Sequence, residues 1–318
     1  MRLQARQTLT EAVSFHGVGL HSGAPVTCTI RPAAPQTGLL FRRLDLLTSA
    51  SHTPDADGLH LRVIDDANLE AVSIPARADQ VSATRLGTTL SNRFGVSVAT
   101  VEHLLAAFAL CQIDDAIIDL DAGEVPILDG SANDFVTHIQ AAGTTLADCP
   151  RAFWRVEAPV RVTLGDRTLA VTPADRFELT VSIDFADPLI AQQTVSLALD
   201  DCHSRARMAT ARTFCELATV RGLQASGLCQ GGSLDNALIV DQGKLMNEGT
   251  LRDPQEFALH KALDLLGDLY LVGMPILGRV VAHKPGHEVN TKLARTLAGH
   301  AGSLVTLEAP QTPLSAAQ

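Results

Sequence analysis

Short stretches of alternating apolar and polar residues open the chain. QTLTEAVSFHGVGLHSG, PVTCTIRPA and TGLLFRRLDL read as strands separated by turns rich in Gly and Pro. A polar stretch around Ser49 to Asn68 follows and reads as a surface excursion. The run from Val98 to Leu110, VATVEHLLAAFAL, is apolar on nearly every face and predicts a buried helix. IDDAIIDLD then alternates as a strand, and EVPILDGSANDFV turns through Asp129-Gly130 into a further helix running toward Ala142.

From Trp154 the pattern restarts with strands in WRVEAPVRVTLGDRTLAVTPA and FELTVSIDF. A less regular block from Phe214 to Asp241, containing GLCQGGS, reads as an insertion. A second long helix, DPQEFALHKALDLLGDLYLVG, leads into the strand ILGRVVAH. GTTLADCPRAF places a boundary near residue 150, so the expected organisation is an N-terminal α+β domain over 1–150 and a C-terminal α+β domain over 151–307. The second domain carries an apolar insert near 214–243, and a mobile tail is expected over 308–318. Each long helix carries an inward-looking histidine and runs through a short link into an apolar strand. That similarity points to two related halves, with His103 and His260 on equivalent helices facing each other across the interface.

With 318 residues, 46% of them hydrophobic and 19% charged, the chain has the composition of an ordinary globular protein. A formal net charge of −10 argues against broad binding to nucleic acid or to an anionic membrane. The most apolar late stretch, LYLVGMPILGRVVA, is broken by Pro275 and Arg279 and falls short of the roughly 18 residues of a membrane span. The opening residues do not read as a signal peptide, so a cytoplasmic location is expected. Six cysteines without CxxC spacing fit reduced, structural thiols better than a disulfide framework or a thiolate zinc site.

Chemistry concentrates on the two long helices. Glu102 and His103 are the only ionisable groups in their apolar run, and burying them costs several kcal/mol unless a partner compensates. On the second helix His260 and Asp264 lie four apart on one face, Asp268 continues the stripe, and Lys261 sits beside it. In isolation that stripe reads as an ordinary solvent-side face. With His103 added, two imidazoles and one carboxylate make a recurrent catalytic zinc set, with the fourth position open to water, and zinc lowers that water's pKa from 15.7 to about 7. Glu102 is then free to act as general base. The segment AHKPGHEVNTKL offers His287 behind Pro285-Gly286, expected on a strand-end loop and suited, when oriented by Asp268, to acid catalysis or oxyanion stabilisation. The remaining histidines have no comparable context, although His21 in GVGLHSG is placed to line a site. GLCQGGS lacks the Lys-Ser/Thr ending of a phosphate loop.

Seven segments occur in order: GVGLHSG, TVEHLLAA, EVPILDGSA, SRARMATARTF, GLCQGGS, LHKALDLLGDL and KPGHEVNTKL. Together they resemble the UDP-3-O-acyl-N-acetylglucosamine deacetylases, zinc enzymes of lipid A synthesis, over nearly the whole chain. The resemblance implies an α+β fold of two related sheet-plus-helix domains, with helices packed between the two sheets and an insert in each domain. It implies zinc on His103, His260 and Asp264, with ferrous iron as the alternative occupant in the cell. Glu102 takes the role of general base, His287 that of acid or charge stabiliser, and Asp268 orients His287. Thr213 and Phe214 match positions at the substrate amide and sugar, and Lys261 matches a residue near the sugar and diphosphate. An acyl tunnel maps onto Val220, Gly232, Ser233 and Ile239, with Leu20 near its mouth.

The implied protein is a monomer whose partner is a UDP-linked acyl sugar, and the implied reaction is hydrolytic removal of an N-acetyl group with release of acetate. Two rivals are an amidohydrolase of similar fold acting on another acylated sugar and an idle acyl-binding protein. Three departures stand out: Gly87 replaces a cysteine that some members carry near the metal, Ser226 replaces an arginine, and the Ser49–Asn68 stretch is longer.

Overall fold

The computed structural model describes residues 3–47, 66–299 and 302–308. Most of the Ser49–Asn68 excursion, and the expected tail beyond Glu308, lie outside these residues. Seven α-helices occur among the described residues: α1 (Asp66–Val72), α2 (Glu102–Cys111), α3 (Asn133–Ala142), α4 (Cys202–Thr210), α5 (Leu217–Ala225), α6 (Glu256–Tyr270) and α7 (His287–Gly299).

The first half builds a five-stranded sheet in the order Val13–Val18, Pro25–Pro32, Ala116–Leu120, Leu39–Arg43, Ser73–Pro75. Its middle strand runs antiparallel to Pro25–Pro32 and parallel to Leu39–Arg43. The second half repeats this plan. Val160–Leu164 pairs with Arg167–Thr172, which pairs antiparallel with Ile276–His283, and that strand runs parallel to Phe177–Asp184, which pairs with Gln192–Ala198. In both halves the middle strand follows the long helix. The similarity of α2 and α6 in sequence is thus accompanied by an identical strand order. The chain passes between halves at Arg151: Thr144–Pro150 pairs back onto Ala5–Leu9, and Ala152–Arg155 joins the second sheet.

Helix α2 is buried from Glu102 to Leu110, as a helix apolar all round must be. It begins four residues later than the apolar run predicts. Val98 pairs with Leu90 as strand, and Thr100 takes a left-handed φ of 58°, which the periodicity of apolar residues does not encode. Helix α6 is also buried on every face, so its His260, Asp264 and Asp268 are core residues and not a solvent-side stripe. The insertion is more regular than its sequence reads: Phe214–Glu216 and Leu238–Asp241 pair in parallel, connected through α5. Among the described residues α5 buries none of its own side chains fully, so its apolar positions do not close into a core.

One apolar cluster runs from the first sheet through α2 and α6 into the second sheet. The helices meet at Gly267, where an added Cβ would lie 2.0 Å from the carbonyl oxygen of Glu102. Both polypeptide backbones occupy that space, so neither can yield by changing a rotamer. Gly267→Ala is expected to destabilise the protein by about 2–3 kcal/mol through overpacking. Gly222→Ala, in α5 with open space around its Cα, is expected to stabilise by about 0.5–1 kcal/mol through helix propensity. Denaturant midpoints of the two variants test this opposition of sign.

A candidate metal centre beside an apolar cavity

Because α2 and α6 touch, His103 and His260 come together with ring centroids 5.0 Å apart and planes nearly perpendicular. Asp264, one turn beyond His260, directs Oδ1 toward both rings, 3.5 Å from His103 Nε2 and 3.3 Å from His260 Nε2. One ligand atom from each of the three buried residues falls within 4.8 Å of the others. A tetrahedron with metal–ligand bonds of about 2.0–2.1 Å separates neighbouring ligand atoms by about 3.3–3.4 Å, which the two imidazole–carboxylate distances match. Asp264 Oδ1 is buried without a hydrogen-bond partner, an arrangement that calls for a cation. Its other oxygen accepts from Lys261 Nζ at 2.7 Å. His260 Nδ1 faces the Ala211 carbonyl at 3.1 Å, which turns Nε2 toward the cluster. These residues fit a divalent metal.

The charge states agree with that fit. Burial pulls the His260 imidazole down to about 3, against the pull of Asp264, so it is neutral and able to donate its lone pair. Burial works against the Asp264 anion, yet His260 and Lys261 hold its pKa well below the ordinary carboxylate range.

Glu102 is not one of the three clustered residues but lies near them. Its Oε2 accepts the Thr88 N–H at 2.9 Å, and its Oε1 lies 3.7 Å from His287 Nε2. Burial raises its pKa, partly countered by His287 and His103. His287 is the first residue of α7 and not a loop residue: Pro285-Gly286 ends one element and starts the next, and Val289, Leu293 and Leu297 give α7 a four-residue apolar spacing. Its Nδ1 lies 3.0 Å from Asp268 Oδ2, with the Asp268 carboxylate fully buried. Burial lowers the His287 pKa, but Asp268 and Glu102 outweigh it and hold the imidazolium to about 9.

Thr88 and Asn290 are absent from the expected site. Thr88 Oγ donates to Asp268 Oδ1 at 2.5 Å, and Asn290 Nδ2 donates to Asp268 Oδ2 at 2.9 Å. Thr88 therefore touches both the Glu102 carboxylate and the Asp268–His287 pair. The Thr-Thr following Gly87 carries no periodic or charged signal for this role. Gly87 itself leaves room beside Glu102, since an added Cβ would lie 3.1 Å from Oε1.

A cavity of about 370 Å³ lies against the insert and has none of the three clustered residues in its lining. Thr213, Phe214, Val220, Gly232, Ser233, Ile239 and Leu20, all singled out from sequence, line it together with His21. Phe214 joins the two regions, with its ring 6.1 Å from His260 and Lys261 Nζ 5.4 Å from its centroid. A separate cavity of about 180 Å³ at the far ends of α2 and α6 touches none of these polar groups.

A sequence model of the family described as LpxC: UDP-3-O-acyl N-acetylglycosamine deacetylase matches residues 6–59 and 51–299. A protein of Myxococcus xanthus named UDP-3-O-acyl-N-acetylglucosamine deacetylase is 42% identical over 290 residues, covering 91% of this chain and 85% of that protein. A protein of the same name from Hahella chejuensis is 41% identical over 315 residues, covering 98% and 97%. Another, from Idiomarina loihiensis, is 42% identical and covers 92% and 89%. By this extent of match, the chain belongs to the LpxC family of UDP-3-O-acyl N-acetylglycosamine deacetylases.

Proposed function

We propose that this protein is a zinc-dependent deacetylase that removes the N-acetyl group of UDP-3-O-acyl-N-acetylglucosamine, an early step of lipid A synthesis. We take it to work as a cytoplasmic monomer whose two halves, over 1–150 and 151–307, act as domains. The observation that carries the reading is the Asp264 Oδ1 between His103 and His260, buried without a hydrogen-bond partner while Lys261 occupies the other oxygen. His103, His260 and Asp264 hold the ion, zinc or in the cell ferrous iron, which supplies Lewis acidity and a lowered pKa for water.

Glu102 acts as general base. Its raised pKa brings its proton affinity closer to neutral pH, and the Thr88 N–H fixes one oxygen while the other faces the site. His287 stays protonated at neutral pH through Asp268 and offers Nε2–H to the negative charge that develops on the amide oxygen. Thr213 supplies a hydroxyl at the amide, Phe214 packs against the sugar, and Lys261 extends its ammonium group toward the sugar and diphosphate. The cavity takes the acyl chain, with each buried methylene contributing about 0.8 kcal/mol.

Acetate release from the UDP-linked acyl sugar, measured with metal present and after chelation, tests the reaction. Release is expected only with metal, and its absence under metal-replete conditions rejects the assignment. A non-nucleotide acetamido sugar turned over with equal kcat/KM would favour a different substrate.

Glu102→Gln is expected to lower kcat by about 10²–10⁴-fold with metal content unchanged. Asp264→Asn is expected to lose the metal as well, so metal analysis separates base from ligand.

The kcat/KM profile should be bell-shaped. Glu102 works deprotonated, so activity falls on the acid side at a pH above the ordinary carboxylate range. His287 works protonated, so activity falls as pH rises through about 9. The same imidazolium stabilises the fold fully below its unfolded pKa of about 6.5 and ceases to do so above about 9. His287→Gln should abolish the alkaline limb, and a limb retained there would assign it to another group.

A further inference from the structure

Glu124 is 3% exposed and, among the described residues, has no lysine or arginine within ion-pair distance. Its carboxylate instead gathers four hydrogen-bond donors. Oε1 and Oε2 share the His21 N–H at 3.0 and 3.2 Å, and Oε2 also accepts the Ser22 N–H at 3.0 Å and the Ser22 hydroxyl at 2.9 Å. Oε1 accepts the Thr100 hydroxyl at 2.8 Å. A buried carboxylate satisfied by backbone N–H groups is rigid, because moving it strands several donors at once.

The loop held this way crosses to the other half. Gly231 N–H donates to the Leu20 carbonyl at 3.0 Å, and Gln230 N–H donates to the His21 carbonyl at 3.2 Å. The contact is backbone against backbone, since a Cβ on Gly231 would lie 2.2 Å from the Gly19 carbonyl oxygen. Leu20, His21 and Gly232 line the apolar cavity, so this junction forms part of its wall. Glu124 contributes no atom to that lining, yet it fixes the segment that does. Thr100, on its other side, holds a left-handed backbone two residues before the start of α2, which gives the carboxylate an anchor independent of the loop.

We infer that Glu124 is a specificity-determining positioning residue that shapes the acyl cavity by clamping the Gly19–Gly23 loop of one half against the Cys229–Gly232 segment of the other. The inference rests on the reading of this cavity as the acyl site. Glu124→Gln keeps the size of the side chain but replaces an acceptor oxygen with an NH₂ group facing N–H donors. Affinity for myristate, measured by calorimetry on the metal-loaded full chain, is expected to fall about tenfold, the scale of one lost charge-assisted hydrogen bond. Affinity for UDP is expected to stay within about twofold, because Lys261, the residue assigned to the diphosphate, shares no hydrogen bond with this clamp. With the acylated UDP-sugar, KM should rise in the same proportion as the myristate loss while kcat holds.

Ser22→Ala removes one donor at an exposed position and serves where Glu124→Gln fails to fold. It should weaken myristate about two- to threefold, again with UDP unchanged. Equal losses for myristate and UDP, unchanged myristate affinity, or a wild-type protein that binds no myristate overturns the inference. A wild-type protein that releases no acetate, but whose myristate affinity still depends selectively on Glu124, rejects the proposed reaction and leaves the role of Glu124 supported.

Discussion

Two helices deliver ligands to one point only if their backbones come close, and in this chain the closeness is set where Gly267 meets the Glu102 carbonyl. A residue with any side chain at that crossing would push α2 away from α6. The separation between His103 Nε2 and Asp264 Oδ1, 3.5 Å across the two helices, would grow with it. The alanines of α2, Ala106 and Ala107 among them, keep the rest of that face thin. Packing and chemistry therefore share one constraint, because the same contact that joins the two halves brings the polar groups together.

That contact also concentrates charge. Glu102, Asp264 and Asp268 are all buried within one cluster, with Lys261 and the His287 imidazolium as the nearby cations. Three carboxylates beside two monovalent cations leave one negative charge in excess, which favours a cation among His103, His260 and Asp264. The roles separate by neighbour. Asp264 is fixed by Lys261 and left open toward the imidazoles, whereas Asp268 is surrounded by Thr88, Asn290 and His287 and has no oxygen to spare.

Much of this was legible in the sequence because it rests on local spacing. A four-residue step puts His260 and Asp264 on one face, and an apolar run marks α2 as buried. What the spacing misses is set by contacts between distant segments or by single backbone angles. The start of α2 depends on the left-handed Thr100. Thr88 reaches Asp268 across 180 positions, and Glu124 reaches Ser22 across 102, through hydrogen bonds with no periodic trace. Helix α7 had a readable signature in Val289, Leu293 and Leu297, but Pro285-Gly286 suggests a turn as readily as a helix start. The stripe on α6 reads as solvent-facing because the partners of His260 and Asp268 lie on other elements, which local spacing does not show.

The repeated strand order has a consequence for how the molecule assembles. In each half the middle strand is the last to leave the ribosome of the five strands that the two sheets have in common: Ala116–Leu120 inserts between Pro25–Pro32 and Leu39–Arg43, and Ile276–His283 inserts between Arg167–Thr172 and Phe177–Asp184. Until it arrives, two partially built hairpins expose inner edges with no partner, and closing the sheet requires long loops to be drawn together. In each half the long helix that precedes this strand is tethered to it by a short link, so docking the helix brings the strand near its slot. The nascent N-terminal half reaches that point first and carries Glu102 and His103 without the α6 surface that covers them until the second helix emerges.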